Sequence, residues 1–157
     1  MIQRIQSIFL GIASLLVLTM LFGIAKYTTT DKQVTLNAFG ISENVLNPNG
    51  QESQQVLAAY PLLIIILVVG GLLIYGLFEF KNRKRQILLC NINNILIIVL
   101  IVTLAYYNNK VSEMYSVGFS LDNFKIAFPF LAMIFNMLAK NRIQKDEDLV
   151  KSADRIR

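Results

Sequence analysis

The 157-residue chain contains no histidine, no tryptophan and a single cysteine, Cys90. One cysteine excludes an intramolecular disulfide, and the lack of histidine excludes a zinc site built on Cys and His ligands. The side chain most used for proton transfer near neutral pH is missing, and the sequence offers no nucleophile–base arrangement. Charge is scarce as well: Asp, Glu, Lys and Arg make up 16% of the chain, and four long stretches hold almost none of it. No catalytic, metal-ligating or cofactor-binding residue is assigned on this basis. No cofactor is expected, and an enzyme is the least favoured class.

Apolar side chains fill the space instead. They account for 55% of the residues, and the mean hydropathy is +0.54. A soluble domain of this size needs polar residues along every helix, and a disordered chain needs few apolar ones, so both classes are excluded. The length fits one domain. The expected fold is an all-α membrane protein, a four-transmembrane-helix bundle with spans at about 7–25, 56–78, 87–107 and 121–139. The first run is uncharged over nineteen residues and reaches about 29 Å, against a hydrocarbon core of about 30 Å. Arg4 before it and the small residues Gly23 and Ala25 at its end also suit a cleavable signal, but the run exceeds a usual signal core and is read as a span. The fourth run is the weakest. It is apolar only over 126–139, and its extension to 121 takes in Asp122 and Lys125, placed at the interface or paired one turn apart. Three spans plus a re-entrant or interfacial segment is the alternative.

Eleven of the fifteen basic residues fall in three segments: Arg4 at the amino end, four in the inner loop 79–86, and six in the tail 140–157. Lys26, Lys32, Lys110 and Lys125 are the remainder. The positive-inside rule then puts both termini in the cytoplasm of a cell with a multi-pass protein in its cytoplasmic membrane. The formal charge of +5 is read as contact with the bilayer, including anionic headgroups of the inner leaflet, and not with nucleic acid. Tyr27, Tyr60, Tyr106 and Tyr107 fall at the outer ends of the spans, where an aromatic belt belongs. The outer loop 26–55 is too long for a plain turn. Two β-prone runs flank Asp31-Lys32, and Asn47-Pro48-Asn49-Gly50 is a turn signal, so a small β cap is expected there. The segment 113–120 alternates weakly and is a candidate further strand.

Three segments together resemble a family of bacterial integral membrane proteins that carries only a domain-of-unknown-function label. They are Met1-Ile2-Gln3-Arg4-Ile5-Gln6-Ser7, the inner-loop segment Lys81-Asn82-Arg83-Lys84-Arg85-Gln86-Ile87-Leu88-Leu89-Cys90, and the tail 138–157, above all Lys145-Asp146-Glu147 and Ser152-Ala153-Asp154-Arg155-Ile156-Arg157. The resemblance spans the whole chain and implies the same four-span architecture. It brings no activity, ligand or catalytic residue.

Asn91, Asn93, Asn94 and Asn136 are the polar side chains at membrane depth, with Asn91 and Asn136 at similar depth and Cys90, Asn91 and Asn94 at helical spacing. Interhelical hydrogen bonding is the plain reading; a polar pocket for a small solute is the sharper one. Between their ends the first three spans hold no charge, the usual mark of pumps and transporters. Pro61, Pro129 and Gly70-Gly71 are read as structural punctuation. The carboxylates of Asp146-Glu147-Asp148 point apart on a helix, so pairing of Glu147 with Lys151 and of Asp146 with Arg142 is expected in place of a metal site. Leu149, Val150, Ala153 and Ile156 form a narrow apolar stripe along the charged tail, suited to docking under the bundle, lying on lipid or binding a protein. The expected function is a structural or interaction subunit that meets a membrane or cytoplasmic protein partner, or lipid, through Arg83, Lys84, Arg85, Gln86, Asp146, Glu147, Asp154, Arg155 and Arg157. The alternative is a small-solute transporter or channel, perhaps homo-oligomeric, that uses Asn91, Asn94 and Asn136.

Overall fold

The computed structural model describes residues 3–28, 32–47, 50–80, 82–115 and 121–155. Helix α1 (Gln3–Thr19) ends in a 3-10 turn, Met20–Phe22. Four strands follow: β1 (Ala25–Thr28), β2 (Lys32–Asn37), β3 (Gly40–Asn47) and β4 (Gly50–Ala58). Then come α2 (Tyr60–Phe78), α3 (Arg83–Tyr115), a 3-10 segment (Leu121–Ala127) and α4 (Phe128–Arg155). Helix α1 packs on α2 and α4, and α3 packs on the same two, which closes a ring of four antiparallel neighbours. All four helices are long and apolar enough to cross a membrane.

The buried positions follow one spacing in every helix. The seam positions are Gln6, Leu10, Ala13 and Val17 in α1, Met20 in its closing 3-10 turn, and Leu62, Ile66, Val69, Leu73 and Gly76 in α2. In α3 they are Gln86, Cys90, Asn93, Ile97, Leu100, Leu104, Tyr107 and Val111, and in α4 Ala132, Asn136, Ala139 and Ile143. Along these positions steps of three and four alternate; Ser14 and Gly70, also buried, flank the series. That period of 3.5 keeps one seam facing inward and is the geometry of left-handed knobs-into-holes packing. The outward faces are no less apolar: Ile64, Leu67, Val68, Ile95, Ile98, Val102 and Ile134 are all exposed. At Gly70 the seam admits the Leu18 side chain, whose Cδ2 lies 2.6 Å from where a Cβ would stand.

The strands form one antiparallel sheet in the order β1-β2-β3-β4, the small β cap expected from the loop sequence. Ala25, Tyr27, Val34, Leu36 and Ile41 turn inward and join the bundle's core. Gly23, at φ +129°, redirects the chain from α1 into β1, and the Ile24 N–H donates to the Leu36 carbonyl at 2.9 Å. Gly40, at φ +154°, holds β3 so close to β4 that a Cβ there would strike the Leu57 carbonyl oxygen.

Several boundaries differ from expectation. Val56 belongs to β4, and α2 starts at Tyr60. The Ala59 N–H still closes onto the Phe39 carbonyl at 2.9 Å, whereas Pro61 has no N–H to give a ladder and suits a helix's first turn. Ala25 lies in β1, outside the first helix. Residues 113–115, read as the start of a strand, continue α3, because Tyr107 and Val111 keep to its inward seam; residues 116–120 lie outside the described residues, as do Pro48 and Asn49 of the turn signal and residues 29–31. The charged tail is no separate piece, since α4 runs unbroken to Arg155. Of the four tyrosines, Tyr60 and Tyr106 are exposed, while Tyr27 and Tyr107 are buried. Tyr27 donates its hydroxyl to Asn108 Oδ1 on α3, and Tyr107 fills a seam position.

Candidate functional site

Two polar regions carry the residues singled out above: an amide cluster inside the bundle and the end where the chain termini lie. Inside, Asn136 of α4 donates its Nδ2 to the Cys90 carbonyl and to Asn94 Oδ1 of α3, each at 2.8 Å. Asn93, on the seam one step beyond Cys90, is buried as deeply. Asn93 Oδ1 and Asn136 Oδ1 are buried without a hydrogen-bond partner. Ser14 on α1 is also buried and donates to the Gly11 carbonyl of its own helix at 2.8 Å. The structure thus brings Asn94 and Asn136 together. Asn91, placed on their face by spacing of three and four, is exposed on the outside of α3. The signal that would have chosen Asn93 over Asn91 is the 3.5-residue step from Gln86 through Cys90.

At the terminal end, Gln86 is buried and donates its Nε2 to the Gly76 carbonyl at 2.9 Å, which satisfies an orphan carbonyl near the C-terminus of α2. Asp146 is a junction between three helices. Its carboxylate accepts from Gln6 Nε2 on α1, and its carbonyl accepts from Arg83 Nη1 on α3 at 2.9 Å. Arg142, expected to pair with it, stays exposed. Glu147 pairs with Lys151 at 3.0 Å, and Arg85 with Glu79 at 3.6 Å. Lys84 and Asp148 are exposed. Among the described residues no three carboxylates or thiols are placed to hold a metal. Two open grooves run along this end. One, of about 430 Å³, lies among Asn82, Arg83, Lys84, Glu147, Val150 and Lys151; the other, of about 410 Å³, lies among Lys145, Asp148, Leu149 and Ser152. Asp154 and Arg155 close α4, and Arg157 lies outside the described residues.

The sheet end is held to the bundle by contacts that spacing along the chain did not reveal. Glu43 of β3 accepts from Lys32 of β2 at 2.6 Å and from the Tyr115 hydroxyl of α3 at 2.8 Å. These two hydrogen bonds, Lys32 first, hold its carboxyl below the usual carboxylate range. Lys125, one of the two charges in the fourth apolar run, donates to the Gly23 carbonyl at 3.1 Å.

An antiparallel β cap on four helices, each long and apolar enough to cross a membrane, defines the class: a capped helical bundle of membrane-protein type. Within that class the chain belongs to the DUF4293 family, a domain of unknown function, whose family model matches residues 2–156. No curated protein and no solved structure matches it.

Proposed function

We propose that the protein is a four-span integral protein of the bacterial cytoplasmic membrane with both termini inside. In this reading it acts as a structural or interaction subunit that meets a protein partner through the carboxy-terminal half of α4. The basic inner loop rests on anionic headgroups. The single observation that carries the reading is the way α4 outruns the bundle. Its seam ends at Ile143 and, among the described residues, its last hydrogen bonds to other helices are at Asp146, yet the helix continues to Arg155. Beyond that tie Leu149 and Val150 are exposed, beside the grooves that hold Arg83, Lys84 and Lys151. An apolar pair on a charged, projecting helix is what helix-in-groove recognition uses. Support for the membrane comes from the outward faces of α2 and α3, which in water would be large interaction surfaces.

The test places a photo-crosslinking residue at Val150 in intact membranes and, as a control, at Ile143 on the seam. A protein adduct at Val150 and none at Ile143 is expected. Adducts to the chain itself alone at both positions would overturn the partner reading. A transporter or channel, assembled from several copies, is the second reading, and the two unpartnered oxygens of Asn93 and Asn136 favour it. It requires water at that depth, so hydroxyl-radical labelling of the seam beside Asn93 separates the two readings.

A further inference from the structure

The register of the sheet brings three connections to one of its ends. Ala25 pairs with Leu36, Asn37 with Gly40, and Gly40 with Ala58. The entry from α1, the turn Ala38-Phe39 between β2 and β3, and the exit into α2 therefore lie side by side. Hydrogen bonds fix the turn there: the Phe39 carbonyl accepts from the Ala59 N–H, one residue before α2, at 2.9 Å, and from Gln55 Nε2 of β4 at 3.2 Å. Asn37 Oδ1 lies 3.5 Å from where a Cβ on Gly23 would stand, so the hairpin also meets the end of α1. Although its backbone is held, the Phe39 side chain is 56% exposed, and Phe22 closing α1 and Tyr60 opening α2 are exposed at the same end. No charge occurs from Gln33 to Ser42. The hairpin's ion pair, Lys32 with Glu43, sits beyond that stretch, away from the turn.

We propose that this turn docks on the outer surface of the lipid bilayer, with the Phe39 ring at the boundary between hydrocarbon and headgroups. The inference extends the four-span reading above and rests on it. Helix α2 sets the level. Its 19 residues reach about 28 Å, against a hydrocarbon core of about 30 Å. With Phe78 and the charged Glu79 at the inner boundary, Tyr60 stands at the outer one, and a turn hydrogen-bonded to Ala59 shares its depth. An exposed aromatic ring gains there by leaving water. A tip without charge brings no ionic group to be stripped of water against the lipid. The apolar outward face of α2 continues from Tyr60 through Ile64, Leu67 and Val68, so turn and helix present one surface to the same surroundings. Lipid contact at this end pins the cap to the membrane and leaves the Lys32–Glu43 end in water. The turn lies at the opposite end of the bundle from Val150, so its failure leaves the tail reading untouched.

The chain has no tryptophan, so a single introduced one reports alone. Phe39→Trp, Val68→Trp at the middle of α2 and Gln54→Trp on β4, all at exposed positions, are made in the full-length protein. Each is reconstituted into vesicles of phosphatidylcholine and phosphatidylglycerol that carry bromine either near the headgroup or near the chain ends. Phe39→Trp is expected to lose more fluorescence to the shallow bromine than to the deep one, and Val68→Trp the reverse. Gln54→Trp responds to neither and is quenched by iodide in the water. A nitroxide on Phe39→Cys, read by its relaxation with oxygen against a water-soluble nickel chelate, gives the same depth if Phe39→Trp does not fold. Quenching of Phe39→Trp by iodide and by neither lipid puts the turn in water and overturns the proposal. Quenching by none of the three puts a protein surface over the turn, from a second copy or a partner, and overturns it equally. Loss of lipid quenching in Val68→Trp sinks the four-span reading itself, which separates the two failures.

Discussion

Along β2, Val34 and Leu36 are buried against the bundle while Lys32 is exposed and the polar residues between them are partly covered. Along α3, Ile97 and Leu100 are fully buried, but Ile98, Val99 and Val102, just as apolar, face outward. The sheet separates its faces by chemistry, as a sheet with one wet side must. The bundle separates them by spacing alone. Its outer surface has the composition of its core, the arrangement suited to a hydrocarbon surrounding, in which packing and not polarity decides which face turns in. One chain thus follows two burial rules, one at its cap and one along its helices.

The sharpest way to break that comparison is to truncate neighbours of like chemistry on α3. Leu100→Ala removes a seam knob and is expected to cost about 3 kcal/mol, in the range for buried leucine. Val99→Ala, 44% exposed in the native chain, should cost under about 0.5 kcal/mol. Thermal unfolding of both in one detergent checks this, and equal losses would deny the seam. In the cap, Gly40→Ala forces a Cβ into the Leu57 carbonyl at a strained φ. A loss of about 2 kcal/mol is expected, with faster exchange of β3 and β4 amides than of α3 amides. Asn136→Ala removes two hydrogen bonds to α3 but also a buried oxygen that has no partner, so the net loss should be about 1 kcal/mol or less. A larger loss would show the amide cluster to be a structural keystone. The smallest effect is acid sensitivity of the cap. The Glu43 carboxyl is held below its ordinary range, so its contribution is complete above that range and is lost as pH falls through the lowered value. Glu43→Gln should flatten this part of the stability–pH curve and leave the bundle's response unchanged.

The two rules also explain what the sequence could reveal. Four long apolar helices were legible because length and apolarity alone set them, and the cap was legible because Gln33-Val34-Thr35-Leu36 alternates and the turn residues punctuate it. The seam was not. Nothing in residue type distinguishes Ile97 from Ile98, and Asn91 looked as eligible for the interior as Asn93. Only the 3.5-residue step tells them apart, and a uniformly apolar helix conceals it. Charge misled in a similar way at 140–157. Lys140, Arg142 and Lys145 read as the start of a charged tail beyond the last span, yet Ile143 continues the spacing of Ala132, Asn136 and Ala139 and stays buried. The tie from Gln6 to Asp146 and the bond from Lys125 to the Gly23 carbonyl join residues far apart in the chain, so no local pattern contained them.

The central claim is that the cap and the projecting end of α4 lie on opposite sides of a bilayer. The most direct measurement labels single added cysteines, Gln54→Cys in β4 and Gln144→Cys in α4, both exposed positions, with a membrane-impermeant maleimide; the native Cys90 is buried and serves as background. In intact spheroplasts the account predicts labelling at position 54 and none at position 144 until the membrane is opened. Labelling of both from one side, or recovery of the chain in the soluble fraction without detergent, would contradict it.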